Sequence, residues 1–309
     1  MATQTGWIEI TDFGPQGWAE GVQAETRARQ CCEQLEKGEI LFFARPPFPL
    51  PENDRNFLLS QKQMDSRLHK NISYRPGEDV LRGFSDGQET ENRIHGVMRT
   101  YSSAVTAFIS RFLAPYARRF QLDYASFRPL EEQGRDLPLH KRNDLLHVDA
   151  FPSRPTRGGR ILRVFTNINP VQERIWLTGE RFQDLAAHYA LQAGLRDVCR
   201  SRSTMRARLV HWLHATGLPL TERSAYDEFM LHFHDWLKEN SQFQSSADKL
   251  RLAFPPLATW LVFTDGVPHA ALSGQFALEQ TFIIPPPALT APEHAPVRVL
   301  EKLCGHALA

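Results

Sequence analysis

The run DLPLHKRNDLLHVDAFPSRPTRGGRILRVFTNINP, residues 136–170, decides how this chain folds. Its short apolar runs are broken by Pro and Gly clusters, the signature of strands and turns rather than of a helix. At its centre stands Leu145-Leu146-His147-Val148-Asp149-Ala150-Phe151. Residues two apart on a strand project from one face, so His147 and Asp149 would point into one small space. A partner lies far downstream in Thr264-Asp265-Gly266-Val267-Pro268-His269-Ala270, where His269 follows a strand and a Gly-containing turn. Two imidazoles and a carboxylate on one face of an octahedron form a non-haem Fe(II) arrangement, which leaves positions for a co-substrate and for O2.

An HxD pair alone is a weak signal. With 12 His in 309 residues, about half of such chains carry one by accident. Without an ion, His147 and Asp149 would serve as a hydrogen-bonded pair at a strand end. The context adds information, because HxD ends an apolar strand and the distant His follows a second one, with a further strand after it. These features match a double-stranded β-helix of the jelly-roll or cupin type.

Working outward, Trp7–Thr11 alternates like a strand. Residues 19–37 read as a charged amphipathic helix stopped by Gly38, and a buried strand follows at 40–44. The run RPPFPLP (45–51) forbids regular structure. Residues 52–70 look helical, 71–86 strand and loop, and 89–122 form the longest helical stretch, with Val97, Tyr101, Val105, Phe108 and Phe112 near helical spacing. Helices are expected again over 181–199, 206–215 and 224–237, and strands over 257–264 and 275–285. The expectation is one α+β oxygenase domain over 1–309. Within it, residues 1–136 are mainly helical, 137–170 and 257–285 supply barrel strands, and 180–240 is a helical insertion.

Composition narrows the function classes. Lys+Arg number 36 against 35 Asp+Glu, a balance that calls for no nucleic-acid partner. Cys31, Cys32, Cys199 and Cys304 show no metal-binding spacing and suit a reducing compartment. The first residues carry acidic groups and no apolar core of a secretory signal. No stretch approaches the roughly 20 apolar residues of a membrane span. A cytoplasmic protein is expected.

Three blocks carry a family likeness: KNISYRPG (70–77), LLHVDAFPSRPTRGGRILRVFTNINP (145–170) and WLVFTDGVPHAALSG (260–274). Together they resemble the Kdo hydroxylases, Fe(II)- and 2-oxoglutarate-dependent dioxygenases acting on the sugar acid Kdo of Gram-negative lipopolysaccharide. The likeness covers roughly residues 30–290 and is most distinctive in the middle block. It implies that His147, Asp149 and His269 are the iron ligands and the catalytic centre. It also implies Fe(II) and 2-oxoglutarate as cofactors, O2 as co-substrate and ascorbate as the reductant in vitro. The implied reaction hydroxylates C3 of Kdo on lipid A while 2-oxoglutarate becomes succinate and CO2. The implied partner is a lipid-linked anionic sugar, with peripheral contact at the inner face of the inner membrane. Arg111, Arg118 and Arg119 could lean on anionic headgroups there.

The sequence departs from the pattern of many such oxygenases, which place an Arg shortly beyond the distal His to hold the far carboxylate of 2-oxoglutarate. Here that zone reads Leu278-Glu279-Gln280-Thr281. Arg163, with Arg160 behind it, is the candidate replacement, since a guanidinium fork suits a carboxylate. By strand period Arg163, Phe165 and Asn167 share one face. That face is either the barrel interior or an exposed sheet surface. Asn167 could bond the co-substrate, Asn169 before Pro170 suits a turn, and Trp176 is either pocket wall or core. Lys141, Arg142, Arg154 and Arg157 flank the HxD strand and could receive the anionic sugar, or simply be solvated. Tyr74 and Arg75, with Asn71, join the substrate candidates by resemblance only. His211, His214, His232 and His234 read as structural or surface residues. Two other readings stay open: a same-fold oxygenase acting on a protein side chain or small metabolite, and a metal-free barrel that binds sugar or lipopolysaccharide. The sequence sets no oligomeric state.

Overall fold

The computed structural model describes residues 6–61, 71–84, 87–201, 223–246 and 248–309. The expected helix at 206–215, with His211 and His214, lies outside them. In chain order the strands are β1 (Ile8–Glu9), β2 (Phe13–Gly14), β3 (Gly17–Trp18), β4 (Leu41–Phe43), β5 (Ile72–Arg75), β6 (Val80–Arg82), β7 (Gln121–Arg128), β8 (Arg160–Asn167), β9 (Arg174–Thr178), β10 (Leu250–Phe254), β11 (Thr259–Phe263), β12 (His269–Ser273) and β13 (Ala277–Ile284). The helices are α1 (Ala24–Glu36), α2 (Glu52–Leu59), α3 (Gln88–Phe112), α4 (Phe182–Tyr189), α5 (Leu195–Ser201), α6 (Ala225–Glu239), α7 (Ser241–Ser246) and α8 (Pro296–Cys304).

Eight strands form one sheet in the order β1-β4-β11-β8-β13-β7-β5-β6, and β10-β9-β12 form a smaller one. All pairs are antiparallel except β1 with β4. The region expected to be mainly helical thus supplies five strands of the large sheet. The expected helix at 89–122 ends at Phe112, because Pro115 sits in a short 3-10 turn and an alternating strand, β7, begins at Gln121.

Strand β8 shows how the layers arise. Leu162 and Val164 join Leu261, Phe263, Leu278 and Phe282 from its neighbours in a core that α1 and α3 close with Leu35, Phe108 and Phe112. On the other face Phe165 meets Trp176, Phe254 and Trp260 between the two sheets. There the Phe254 and Trp260 rings stack at 3.9 Å. A third cluster backs the smaller sheet, where Phe182 of α4, Phe229 and Phe233 of α6, and Leu300 of α8 pack on Leu146, Val148 and Ala270. The helical insertion therefore supports the outward residues of the HxD segment.

That segment is less regular than a strand. Its ladder is a single antiparallel bridge, His147 to His269, followed by the Asp149 N–H donating to Thr264 O at 2.8 Å. Among the described residues no helix is long and apolar enough to cross a membrane. Cys199 of α5 and Cys304 of α8 pair as a disulfide, which a fully reduced chain would not contain.

Candidate metal centre

His147, Asp149 and His269 converge: one ligand atom from each lies within 4.8 Å of the others, and all three residues are buried. Each ring is anchored from behind. His147 Nδ1 bonds the Leu145 carbonyl at 2.7 Å, and His269 Nδ1 bonds the Val267 carbonyl at 2.9 Å. A carbonyl only accepts, so Nδ1 carries the proton and Nε2 keeps its lone pair. The two Nε2 atoms stand 3.7 and 3.9 Å from the Asp149 carboxylate, too far for a hydrogen bond. Asp149 Oδ2 is buried with no hydrogen-bond partner among the described residues. A proton-sharing pair would close these gaps, whereas a divalent cation between the three groups would take both ring nitrogens and the carboxylate, whose Oδ2 has only the Arg163 charge beside it.

Electrostatics prepare the same set for a cation, since ligands must be deprotonated to bind. Burial lowers the proton affinity of His147 and of His269 below the ordinary imidazole range, so both rings are neutral. Burial pushes Asp149 the other way, but the effects led by the Arg163 charge outweigh it and hold the carboxyl well below its ordinary range.

The surrounding wall is ionic on one side. Of the two faces that strand period left open, Arg163 takes the inner one and meets Asp149 at 3.2 Å and Glu279 at 2.7 Å. Arg128 of β7 bonds Glu279 at 2.8 Å through Nε. Arg174 of β9 reaches Glu132 at 3.2 Å and the Gly274 carbonyl at 2.8 Å, while its buried Nε has no partner among the described residues. The guanidiniums of Arg128, Arg163 and Arg174 line the cavity beside His147 and His269. The carboxylates they touch are Asp149, Glu279 and Glu132, and Glu132 is shared with Arg135 at 3.9 Å, so the guanidiniums of this wall already claim every one of these carboxylates. A divalent cation would add to this positive charge, which an anionic co-substrate would offset. Trp176 forms the apolar side, stacked on the His269 ring at 5.1 Å, and is both core and pocket wall.

Other expected residues are placed elsewhere. Arg160 is three positions from Arg163, an odd offset that turns it to the opposite face. It is fully buried, bonds Asp265 at 2.8 Å and lies over the Phe263 ring, so it ties β8 to the turn preceding His269 and is no co-substrate ligand. Asn167 donates its amide to the carbonyls of Gln172 and Phe254, and its Oδ1 accepts from the Asn169 N–H, so it ties the loop after β8 to the end of β10. Asn169 caps the next turn through Val171 and Gln172. Tyr74 points away from the centre and bonds Asp79 at 2.8 Å. Arg142 bonds Asp144, Arg157 is exposed with its N–H on Asp227, and Lys141 is exposed in a 3-10 turn. His234, read as structural, lies edge-on to His147 and bonds the Val148 carbonyl at 2.7 Å.

The sequence reading missed Arg128 and Arg174. Each occupies an inward position of a strand; the alternation of ASFR (125–128) was an available signal for Arg128, whereas RIWLT (174–178) does not alternate and offered none for Arg174.

No curated protein matches the chain. Among solved structures, the Kdo hydroxylase KdoO, a non-haem Fe(II) α-ketoglutarate-dependent dioxygenase in complex with α-ketoglutarate and Fe(III), is 35% identical, with 98% of this chain and 97% of that chain covered and a TM-score of 0.82. The same enzyme with succinate and Fe(III) is 34% identical over 98% and 97%, with a TM-score of 0.81. A sequence model of the 3-deoxy-D-manno-oct-2-ulosonic acid (Kdo) hydroxylases matches residues 18–307. With residues 18–307 matched by the family model and nearly its whole length by a solved Kdo hydroxylase, the chain belongs to the Kdo hydroxylase family.

Proposed function

We propose that this protein is an Fe(II)- and 2-oxoglutarate-dependent dioxygenase that hydroxylates C3 of Kdo in the inner core of lipopolysaccharide. The observation that carries the reading is the triad His147, Asp149 and His269. Its ring nitrogens and carboxylate meet at one buried point beside a wall of guanidiniums. When bound, iron and 2-oxoglutarate supply the oxygen-activating chemistry.

The chain's own residues bind, orient and exclude water. The carbonyls of Leu145 and Val267 fix both imidazole tautomers. Arg163 keeps Asp149 ionised and in place. Trp176 and Phe165 keep the far side dry. Since Arg163 is already shared by two carboxylates, Arg174 is assigned to the distal carboxylate of 2-oxoglutarate. Burial lowers the proton affinity of its guanidinium and Arg128 adds to that, with Glu132 only partly offsetting them, so a further anion would stabilise it. Because the acceptor carries a lipid anchor, the protein is placed at the inner face of the inner membrane by peripheral contact, which cosedimentation with anionic vesicles would detect.

The test is incubation of the purified protein with Fe(II), ascorbate, 2-oxoglutarate and Kdo-lipid A. Succinate and a gain of one oxygen on Kdo are expected. His147→Ala should be silent, and turnover by that variant would remove the ligand assignment. Arg174→Ala should raise the KM for 2-oxoglutarate by about tenfold or more, the effect of a lost charge-assisted hydrogen bond. An unchanged value there, with a raised one in Arg163→Ala, would return the role to Arg163.

A further inference from the structure

The inner face of the large sheet continues past the metal centre. The smaller sheet covers it over β4, β11 and β8, where Phe42, Trp260 and Phe165 are buried between the layers. Across β13 the same face emerges on β7 and β5, where Tyr124, Ser126, Ser73 and Arg75 are only half-buried. The register of β13 against β7 shifts between Gln280 and Phe282, opposite Asp123 and Tyr124. Such a bulge re-aims side chains, and both residues reach Arg154.

Arg154 comes from the loop that follows the HxD segment, and this loop is fixed. Asp227 accepts from the N–H groups of Thr156 and Arg157 and completes a capping box with Ser224 at the start of α6. The result is a continuous stack. Arg75 lies 4.9 Å from the centre of the Tyr124 ring, and Arg154 lies 4.0 Å from it. Arg154 is also 4.4 Å from the Phe151 ring, and Arg163 is 5.6 Å from that ring on its metal-facing side. Stacking on a ring holds a guanidinium flat and presents its edges. Each of the two outer guanidiniums spends one edge on a carboxylate: Arg154 Nε on Asp123 at 3.1 Å, Arg75 Nη1 on Glu78 at 3.5 Å. The Nε of Arg75 is buried without a partner among the described residues. Both side chains remain about one-third exposed, 35% and 33%.

We propose that Arg154 and Arg75 on Tyr124, with Phe151 as the second wall, form the seat of the acceptor. The guanidinium pair takes the carboxylate of the sugar acid, and the two aromatic faces carry its ring, one side chain away from Arg163 and the metal ligand Asp149. This rests on the function proposed above and assigns its specificity to residues outside the metal centre.

The test compares acceptor kinetics on Kdo-lipid A for the native protein and for Arg154→Ala, Arg154→Lys, Tyr124→Ala and Tyr124→Phe. Loss of the fork or the platform should raise the acceptor KM by about tenfold to a hundredfold, the range of one charge-assisted hydrogen bond. It should also raise the ratio of succinate formed to oxygen gained, because co-substrate would be consumed beside a poorly held acceptor. Tyr124→Phe, which keeps the ring, should recover most of what Tyr124→Ala loses, and Arg154→Lys should recover little. Co(II) absorption spectra of each variant separate a lost seat from a lost fold. An acceptor KM within twofold of native in both Arg154→Ala and Tyr124→Ala overturns the seat alone. Absence of oxygen gain in the native protein overturns the functional reading, and the seat with it.

Discussion

Glu279 shows how single charges shape the centre. It stands where related oxygenases hold a cation, and it reverses the sign. Burial raises its proton affinity, but the charges of Arg128 and Arg163 more than offset this, so the carboxyl lies below its ordinary value of 4.5. A carboxylate depressed in the folded state adds stability above its unfolded pKa and loses it as pH falls through the folded one. Urea unfolding between pH 3 and 7 should therefore show native stability declining below pH ~4.5. Glu279→Gln should cost about 3–5 kcal/mol at neutral pH, because two buried guanidiniums lose their partner. Its stability should also fall less steeply in acid; an unchanged acid slope would remove Glu279 from the balance.

Among the elements, the β12–β13 turn is the most constrained. Gly274 has φ +118°, and a Cβ there would come within 2.9 Å of the Arg174 backbone. Its carbonyl also holds the Arg174 side chain. Gly274→Ala should therefore weaken 2-oxoglutarate binding to the Co(II)-loaded protein more than it weakens Co(II) binding, and should lower the melting temperature through about 1–3 kcal/mol of backbone strain. Equal losses of metal and co-substrate would argue against this link. The elements also explain what the sequence could show. The period of two placed His147 with Asp149 and Arg163 with Phe165, relations that need only local geometry, whereas which face of the strand looks inward was left open. Arg128 and Arg174 were missed because β7 lay in a part read as mainly helical and no strand was expected where β9 runs. Their approach to one cavity depends on pairing between segments distant in the chain. Arg160 was misplaced for a simpler reason: proximity in sequence outweighed its odd offset from Arg163.

At the scale of the whole molecule, the disulfide between Cys199 and Cys304 spans 105 residues and joins α5 to α8, behind the metal-bearing segments. Closing a loop of this size stabilises by up to about 5 kcal/mol. Cys31 and Cys32 are fully buried, and burial pushes the Cys31 thiol up to about 12, so neither should react with a thiol reagent at pH 8 while the protein is folded. Air-oxidised protein should show two thiols after denaturation and four after reduction. Four without reduction would mean that Cys199 and Cys304 do not bridge. One ribbon, β8, separates the oily chamber of α1 and α3 from the ionic one. Adding or deleting one amino acid between Arg160 and Asn167 would exchange the contents of both chambers at once. Lineages descended from a common ancestor of this chain should therefore vary that ribbon by replacement and confine length changes to loops.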